Sequence, residues 1–260
     1  MDNGNQPALI KRLSFTTDEG IGKRARIGLI ILQTDQTIEH EFSSLLRRDE
    51  VALYHARIPN AMDVTPETLR QMEQDLPKAA ALLPDQFGFD AIGYCCTSGA
   101  TMIGEARVDQ IIRQIHPKVK TSSPLSACKA ASAALGLTRI ALVTPYAPSV
   151  TSEMQQNLQA AGFQTNAVAS FNQSDDFTVA RITSQSILDA IKTAGARDDC
   201  DGVFVSCTSL RALPVIAEAE AHLGKPVLSS NQALAWHLMR LAGVDDCPEN
   251  AGQLFRKHLA

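Results

Sequence analysis

The sequence predicts an α/β protein built as two pseudosymmetric halves, each a doubly wound parallel sheet. Three observations carry that expectation. Apolar runs alternate with helix-patterned segments from residue 26 onward, which is the order of βαβ units. Gly and Pro punctuate the chain into segments of strand or helix length. The chain also repeats itself, in order and at nearly equal spacing. Arg26-Ile-Gly-Leu-Ile-Ile31 resembles Arg139-Ile-Ala-Leu-Val-Thr144, and Asp90-Ala-Ile-Gly-Tyr-Cys-Cys-Thr-Ser98 resembles Asp201-Gly-Val-Phe-Val-Ser-Cys-Thr-Ser209. Thr121-Ser-Ser-Pro-Leu-Ser-Ala127 matches Leu228-Ser-Ser-Asn-Gln-Ala233, and three pairs in register argue for an internal duplication.

Each element follows from its own residues. The run 26–32 is too uniformly apolar for a half-solvated strand and predicts a buried parallel one. Residues 51–58 give a second strand. Thr65-Pro66 opens a helix through Leu69, Met72 and Leu76 toward Leu83, with Pro in the first turn, where a missing N–H costs nothing. Residues 90–95 form the third strand and 119–121 a short fourth, and Pro124 starts the next helix. Residues 139–144 and 201–209 restate the pattern in the second half. The segment after Asn231 is a helix through Trp236, Met239 and Leu241, expected to return and pack on the first half. The halves are therefore residues 24–123 plus 229–260, and residues 124–228, with 1–23 an N-terminal extension of no assigned role.

Composition narrows the function. The chain has 260 residues and is 45% hydrophobic, enough for two halves with cores and too apolar for disorder. A formal net charge of −4 without a Lys/Arg block leaves no electrostatic footprint for nucleic acid or a membrane surface. Residues 1–22 lack the apolar stretch of a secretory signal, and no run is long enough to span a bilayer. A cytoplasmic, reducing location is expected, with the six cysteines as free thiols. No metal site is expected, because Cys-x-x-Cys, His-Glu-x-x-His and Cys/His clusters are missing from the sequence. No Gly-x-Gly-x-x-Gly or Walker loop supports a nucleotide cofactor.

Ligands of open parallel sheets bind at the carboxyl ends of the strands. Each half places Cys-Thr-Ser there, and facing halves bring Cys96 and Cys207 to opposite walls of one cleft. Each thiol is expected where a strand hands over to a helix, whose N-terminus favours the thiolate. Thr97, Ser98, Thr208 and Ser209 offer hydroxyl and N–H groups for a substrate carboxylate. Two opposed thiols suit addition or proton transfer on opposite faces of a small acid, without a cofactor. A lone cysteine at a strand end is ordinarily core; the matched context of two raises the functional reading. Cys95 adjoins Cys96, and strand alternation turns the two to opposite faces, so the match to Cys207 selects Cys96. Cys95, Cys128, Cys200 and Cys247 read as structural. Arg211 suits either a carboxylate clamp or a surface ion pair. His237 reads as packing and Asn231-Gln232 as helix capping. None of the six histidines pairs with a cysteine in a recognisable motif.

These residues resemble the aspartate/glutamate racemase superfamily, nearest to maleate isomerase, arylmalonate decarboxylase and hydantoin racemase. The resemblance runs from about Arg26 to Gly243. It rests on the paired Cys-Thr-Ser motifs, Val143-Thr-Pro-Tyr146 and Pro226-Val-Leu-Ser-Ser-Asn231. Leu32-Gln-Thr-Asp-Gln-Thr-Ile-Glu-His-Glu-Phe42, Phe204-Val-Ser-Cys-Thr-Ser-Leu-Arg-Ala212 and Ser230-Asn-Gln-Ala-Leu-Ala-Trp236 look closest to its ectoine-utilisation branch. The resemblance implies Cys96 as nucleophile or base, Cys207 as the opposing acid, and Tyr146 as a substrate contact. It also implies departures, since Asp35 and Asp176 fall where maleate isomerases carry carboxylate-binding Asn. An ionised Asp repels a carboxylate, so the two changes point to a substrate with a cationic or N–H-rich group. Asp35 suits equally the cap of the helix containing Thr37-Ile38-Glu39.

The expected activity is thus a cofactor-independent isomerase or racemase acting on a small carboxylate-bearing substrate, within a homo-oligomer. Two alternatives stand beside it: a malonate-type decarboxylase, which the presence of Cys96 opposes, and a two-lobed binding or regulatory protein.

Overall fold

The computed structural model describes residues 10–46 and 50–259. In chain order the elements are β1 (Ala25–Leu32), α1 (Ile38–Leu45), β2 (Val51–Ile58), α2 (Pro66–Ala81), β3 (Ala91–Cys95), α3 (Thr97–Ile103), α4 (Glu105–Ile115), β4 (Lys120–Ser122) and α5 (Pro124–Leu135). They continue with β5 (Arg139–Thr144), α6 (Pro148–Ala160), β6 (Gln164–Ser170), α7 (Asp176–Val179), α8 (Ser184–Gly195), β7 (Gly202–Val205), α9 (Ile216–Leu223), β8 (Val227–Ser229) and α10 (Ser230–Leu241). Both sheets have four parallel strands, in the orders β2-β1-β3-β4 and β6-β5-β7-β8. The two orders are the same order, so the duplication read from the sequence is a duplication of topology.

The strands form where both faces can be covered. β1 and β5 sit between two neighbours, and almost every side chain on them is buried, which is why they read as unbroken apolar runs. The helices start on local capping chemistry. Thr65 and Thr68 cap α2 reciprocally, with Pro66 in the first turn. Ser123 accepts the Ser126 N–H to open α5, and Ser229 and Gln232 cap α10 reciprocally.

Helix α10 is buried along nearly its whole length and lies on β3 and β4 of the first sheet. Gly93 permits the approach, since a Cβ there would stand 2.8 Å from Leu238 Cδ1. Residues 10–24 carry no helix or regular strand, and Ile10, Leu13, Phe15 and Ile21 are exposed on them. Residues 1–9 of the expected extension, and Ala260, lie outside the described residues. Among the described residues no helix is long and apolar enough to cross a membrane.

Two expectations are corrected. The second copy of the third strand runs over Gly202–Val205, but the helix expected to begin at Cys207 does not. A turn follows, then a 3-10 turn over Leu213–Val215, and α9 starts only at Ile216. Pro214 has no N–H to give to a ladder and supports only the tight turn before that helix. The edge strand β6 was not expected at all.

Candidate active site

The carboxyl ends of the strands meet in a cleft lined by both motifs. Cys96, Thr97 and Ser98 face it from one half, and Cys207, Thr208 and Ser209 from the other. Tyr146, just beyond β5, and Asp176, at the start of α7, line it as well. The loop after β2 and the first turns of α2 cover it with Asn60, Asp63, Thr68 and Met72. The cavity volume is about 20 Å³, roughly the space of one water, so the cleft stands closed.

Cys96 is the N-cap of α3. Its Sγ accepts the Gly99 N–H at 3.2 Å and lies 3.6 Å from Ser98 Oγ. Gly99 is required by this packing: a Cβ there would meet the Tyr94 hydroxyl and come within 3.0 Å of Cys96 Sγ. Cys95 is fully buried in β3 and does not line the cleft, as strand alternation requires.

Cys207 sits on a different backbone. Its φ is +141°, in the region that favours glycine and strains a residue with a Cβ. The surroundings fix it there. Its N–H donates to Ser230 Oγ at 3.0 Å, and the same oxygen lies 2.8 Å from Thr97 Oγ1, so Ser230 ties both motifs together. Asn231 Nδ2 holds the Thr208 carbonyl at 2.8 Å and Glu41 Oε2 at 2.8 Å. Thr37 Oγ1 donates to the Ser209 carbonyl at 2.9 Å. Burial pushes the Glu41 carboxyl up to about 7, with the Asn231 and Leu213 N–H donors opposing it.

The expectation of a favoured thiolate is corrected. Burial pushes the Cys96 thiol up to about 12, and Cys207 higher still. Ser98 and the Gly99 N–H counter this at Cys96, and the Tyr146 hydroxyl and Ser209 N–H at Cys207. Desolvation wins at both, and the nearby Asp176 and Asp35 add to it. Among the described residues no Lys, Arg or His lines the closed cleft to reverse the balance.

Asp35 does not line the cleft. Its Oδ1 accepts the N–H groups of Thr37 at 2.8 Å and Ile38 at 2.9 Å, capping α1, while Oδ2 is buried without a hydrogen-bond partner. Asp176 does line it, with Oδ2 accepting from Thr34 Oγ1 at 2.5 Å and Oδ1 from Ser209 Oγ at 3.4 Å. Arg211 lies outside, donating to the Ile182 carbonyl. His237 is stacked on Trp236, with Nδ1 2.8 Å from Ser122 Oγ. Among the described residues no group of three or more His, Cys, Asp or Glu is placed to hold a metal ion.

Sequence reasoning missed Ser230, Glu41, Thr34 and the cover of Asn60, Asp63 and Met72. Only Ser230 left a signal, as half of the repeated Ser-Ser pair.

Two matched parallel sheets, with one thiol from each lining a shared cleft, define a paired-cysteine α/β class. Within that class, residues 27–255 match the family described as arylmalonate decarboxylase, and the chain belongs to that family. It is 24% identical over 246 residues to the maleate isomerase of Alcaligenes faecalis, covering 89% of this chain and 96% of that one. It is 33% identical over 111 residues, 42% of this chain and 46% of the relative, to the arylmalonate decarboxylase of Bordetella bronchiseptica. Among solved structures it resembles the maleate cis-trans isomerase of Nocardia farcinica, in a cysteine-to-serine variant with a covalently bound succinylcysteine intermediate. That likeness has a TM-score of 0.82 at 24% identity, over 89% of this chain and 98% of the other.

Proposed function

We propose that the protein is a cofactor-independent cis–trans isomerase of a small unsaturated carboxylic acid, working through Cys96 and Cys207. The observation that carries this reading is the pair of thiols lining one cleft from two halves of a duplicated fold. The matches to maleate isomerases and to a structure with a cysteine adduct support it.

Cys96 is the nucleophile, because the Gly99 N–H and Ser98 hydroxyl stabilise its thiolate. That thiolate forms while the cleft is open and hydrated. Its sulfur adds to one alkene carbon, and the π pair takes the Cys207 proton at the other. Cys207, held neutral by burial, is suited to keep that proton until then. The alkene has become a single bond and rotates. The Cys207 thiolate then takes the proton back as the C–S bond breaks, releasing the trans acid and the Cys96 thiolate. Thr97, Ser98, Thr208 and Ser209 receive the carboxylate, and Tyr146 faces Cys207 and Ser98. The motifs that resemble the ectoine-utilisation branch extend the reading to a step in ectoine or hydroxyectoine breakdown.

Proton NMR in deuterated buffer tests the reading, with maleate, aspartate, a hydantoin, ectoine, hydroxyectoine and their ring-opened acids offered to the wild type, Cys96→Ser and Cys207→Ser. Cysteine-dependent isomerisation or deuterium uptake is expected, with an adduct trapped on Cys96 in Cys207→Ser. Binding without exchange would leave a binding protein. Decarboxylation is the second reading, favoured by the Bordetella match, and an arylmalonate added to the panel would lose CO₂.

A further inference from the structure

We propose that the Asp176 end of the cleft takes an N–H-bearing group of the substrate, such as an amide, amidinium or ammonium, rather than a second carboxylate. This rests on the small-acid reading above and names the substrate class for that site.

The charge inventory of the cleft carries the argument. Its lining includes the carboxylates Asp63 and Asp176 and, among the described residues, no cationic side chain. Two guanidinium groups that act on the neighbouring carboxylates Asp35 and Asp175 are turned elsewhere. Arg57 pairs with Glu39 and donates to the carbonyls of Leu32, Gln33 and Asp35. Arg181 lies 3.2 Å over the Phe177 ring. A substrate carboxylate at Asp176 would therefore meet like charge with no cation among the described lining residues to offset it.

Asp176 itself is short of donors. Only Thr34 gives it a full hydrogen bond, at 2.5 Å, and the 3.4 Å contact from Ser209 is too long for a good O–H···O bond. Close by, Asp35 Oδ2 is buried with no partner. Asp176, desolvated in the cleft wall, accepts from two hydroxyls and, among the described residues, from no N–H groups. A ligand with N–H groups supplies them. Burial also raises the Asp176 carboxyl, so a protonated Asp176 donating to a carboxylate is the competing arrangement. It predicts the opposite preference.

The test compares maleate with its monoamide, which has the same size and double bond but presents N–H groups in place of one carboxylate. Rates of isomerisation are measured for the wild type and Asp176→Asn, with ligand-induced thermal shifts as a reading independent of turnover. The wild type is expected to favour the monoamide by about tenfold or more in kcat/KM. Asp176→Asn should lose rate on the monoamide and gain it on maleate. A wild type that turns over maleate as well or better, or a substitution that moves both rates alike, overturns the proposal and leaves the isomerase reading standing. If neither acid is turned over, a thermal shift larger for the monoamide and abolished by Asp176→Asn upholds the specificity while the isomerase reading fails. Equal or absent shifts overturn the specificity as well.

Discussion

The two cysteine corners have nearly the same sequence and different backbones. In the first, β3 passes directly into α3, and Cys96 caps a helix with its sulfur on the Gly99 N–H. In the second, β7 stops early, and Cys207 stands at a φ of +141° with its own N–H on Ser230. The helices that follow diverge in step. Ser123 caps α5 and Ser229 caps α10, but the next residue is Pro124 in the first half and Ser230 in the second, where it bridges Thr97 to Cys207. Duplication supplied two thiols. Burial holds the proton on both, but the difference in backbone sets Cys96 on a helix N–H and Cys207 on a strained turn, an asymmetry that the proposed addition and protonation would use.

The largest way to break this comparison is at the sulfurs. Cys207→Ser is expected to lower kcat by about 10²–10⁴-fold. Cys96→Ser should cost more and give no trapped adduct, as measured by NMR turnover and intact mass. Ser230→Ala removes the bridge between the corners. It should lower kcat by about tenfold, with KM little changed, and cost about 1–3 kcal/mol in denaturant unfolding. Glu41 sharpens the comparison through pH. Its folded carboxyl titrates near 7 against an ordinary 4.5, so the folded state holds the extra proton between those values. Stability should fall as pH rises through that window, by up to about 3 kcal/mol. Glu41→Gln should flatten the slope in denaturation midpoints taken at several pH values.

Gly99→Ala forces a methyl against Tyr94, Met72 and Cys96 and should cost about 1–3 kcal/mol. No matching cost is expected at Leu210, the equivalent position in the second half, where a Cβ is already present. The smallest effect is Cys207→Gly, which relieves the strained φ. It should stabilise an inactive protein by about 1 kcal/mol, visible as a raised Tm.

Much of the fold was legible because buried parallel strands write themselves as apolar runs. β1, β3 and β5 lie between neighbours and show it. β6 does not. It is an edge strand of composition Gln-Thr-Asn-Ala-Val-Ala-Ser with alternate residues exposed, and polar edges resemble loops. At the site, Cys96, Thr97, Ser98, Tyr146, Asp176, Cys207, Thr208 and Ser209 were named from sequence and line one cleft. The strained backbone of Cys207 was illegible because its motif copies the unstrained one. Asp35 was ambiguous for a physical reason: the same carboxylate serves a ligand or a helix, and only the Thr37 and Ile38 N–H groups show which it holds. Glu41 left no trace, since an acid on an amphipathic helix reads as solvated until the helix is seen to bury it.

The seating of α10 on β3 and β4 reaches beyond catalysis. During synthesis the first sheet emerges long before residues 230–241, so it waits with an uncovered apolar face until the last helix arrives. The first half cannot be completed on a chain truncated before residue 230, so it should close last, after the second sheet has emerged.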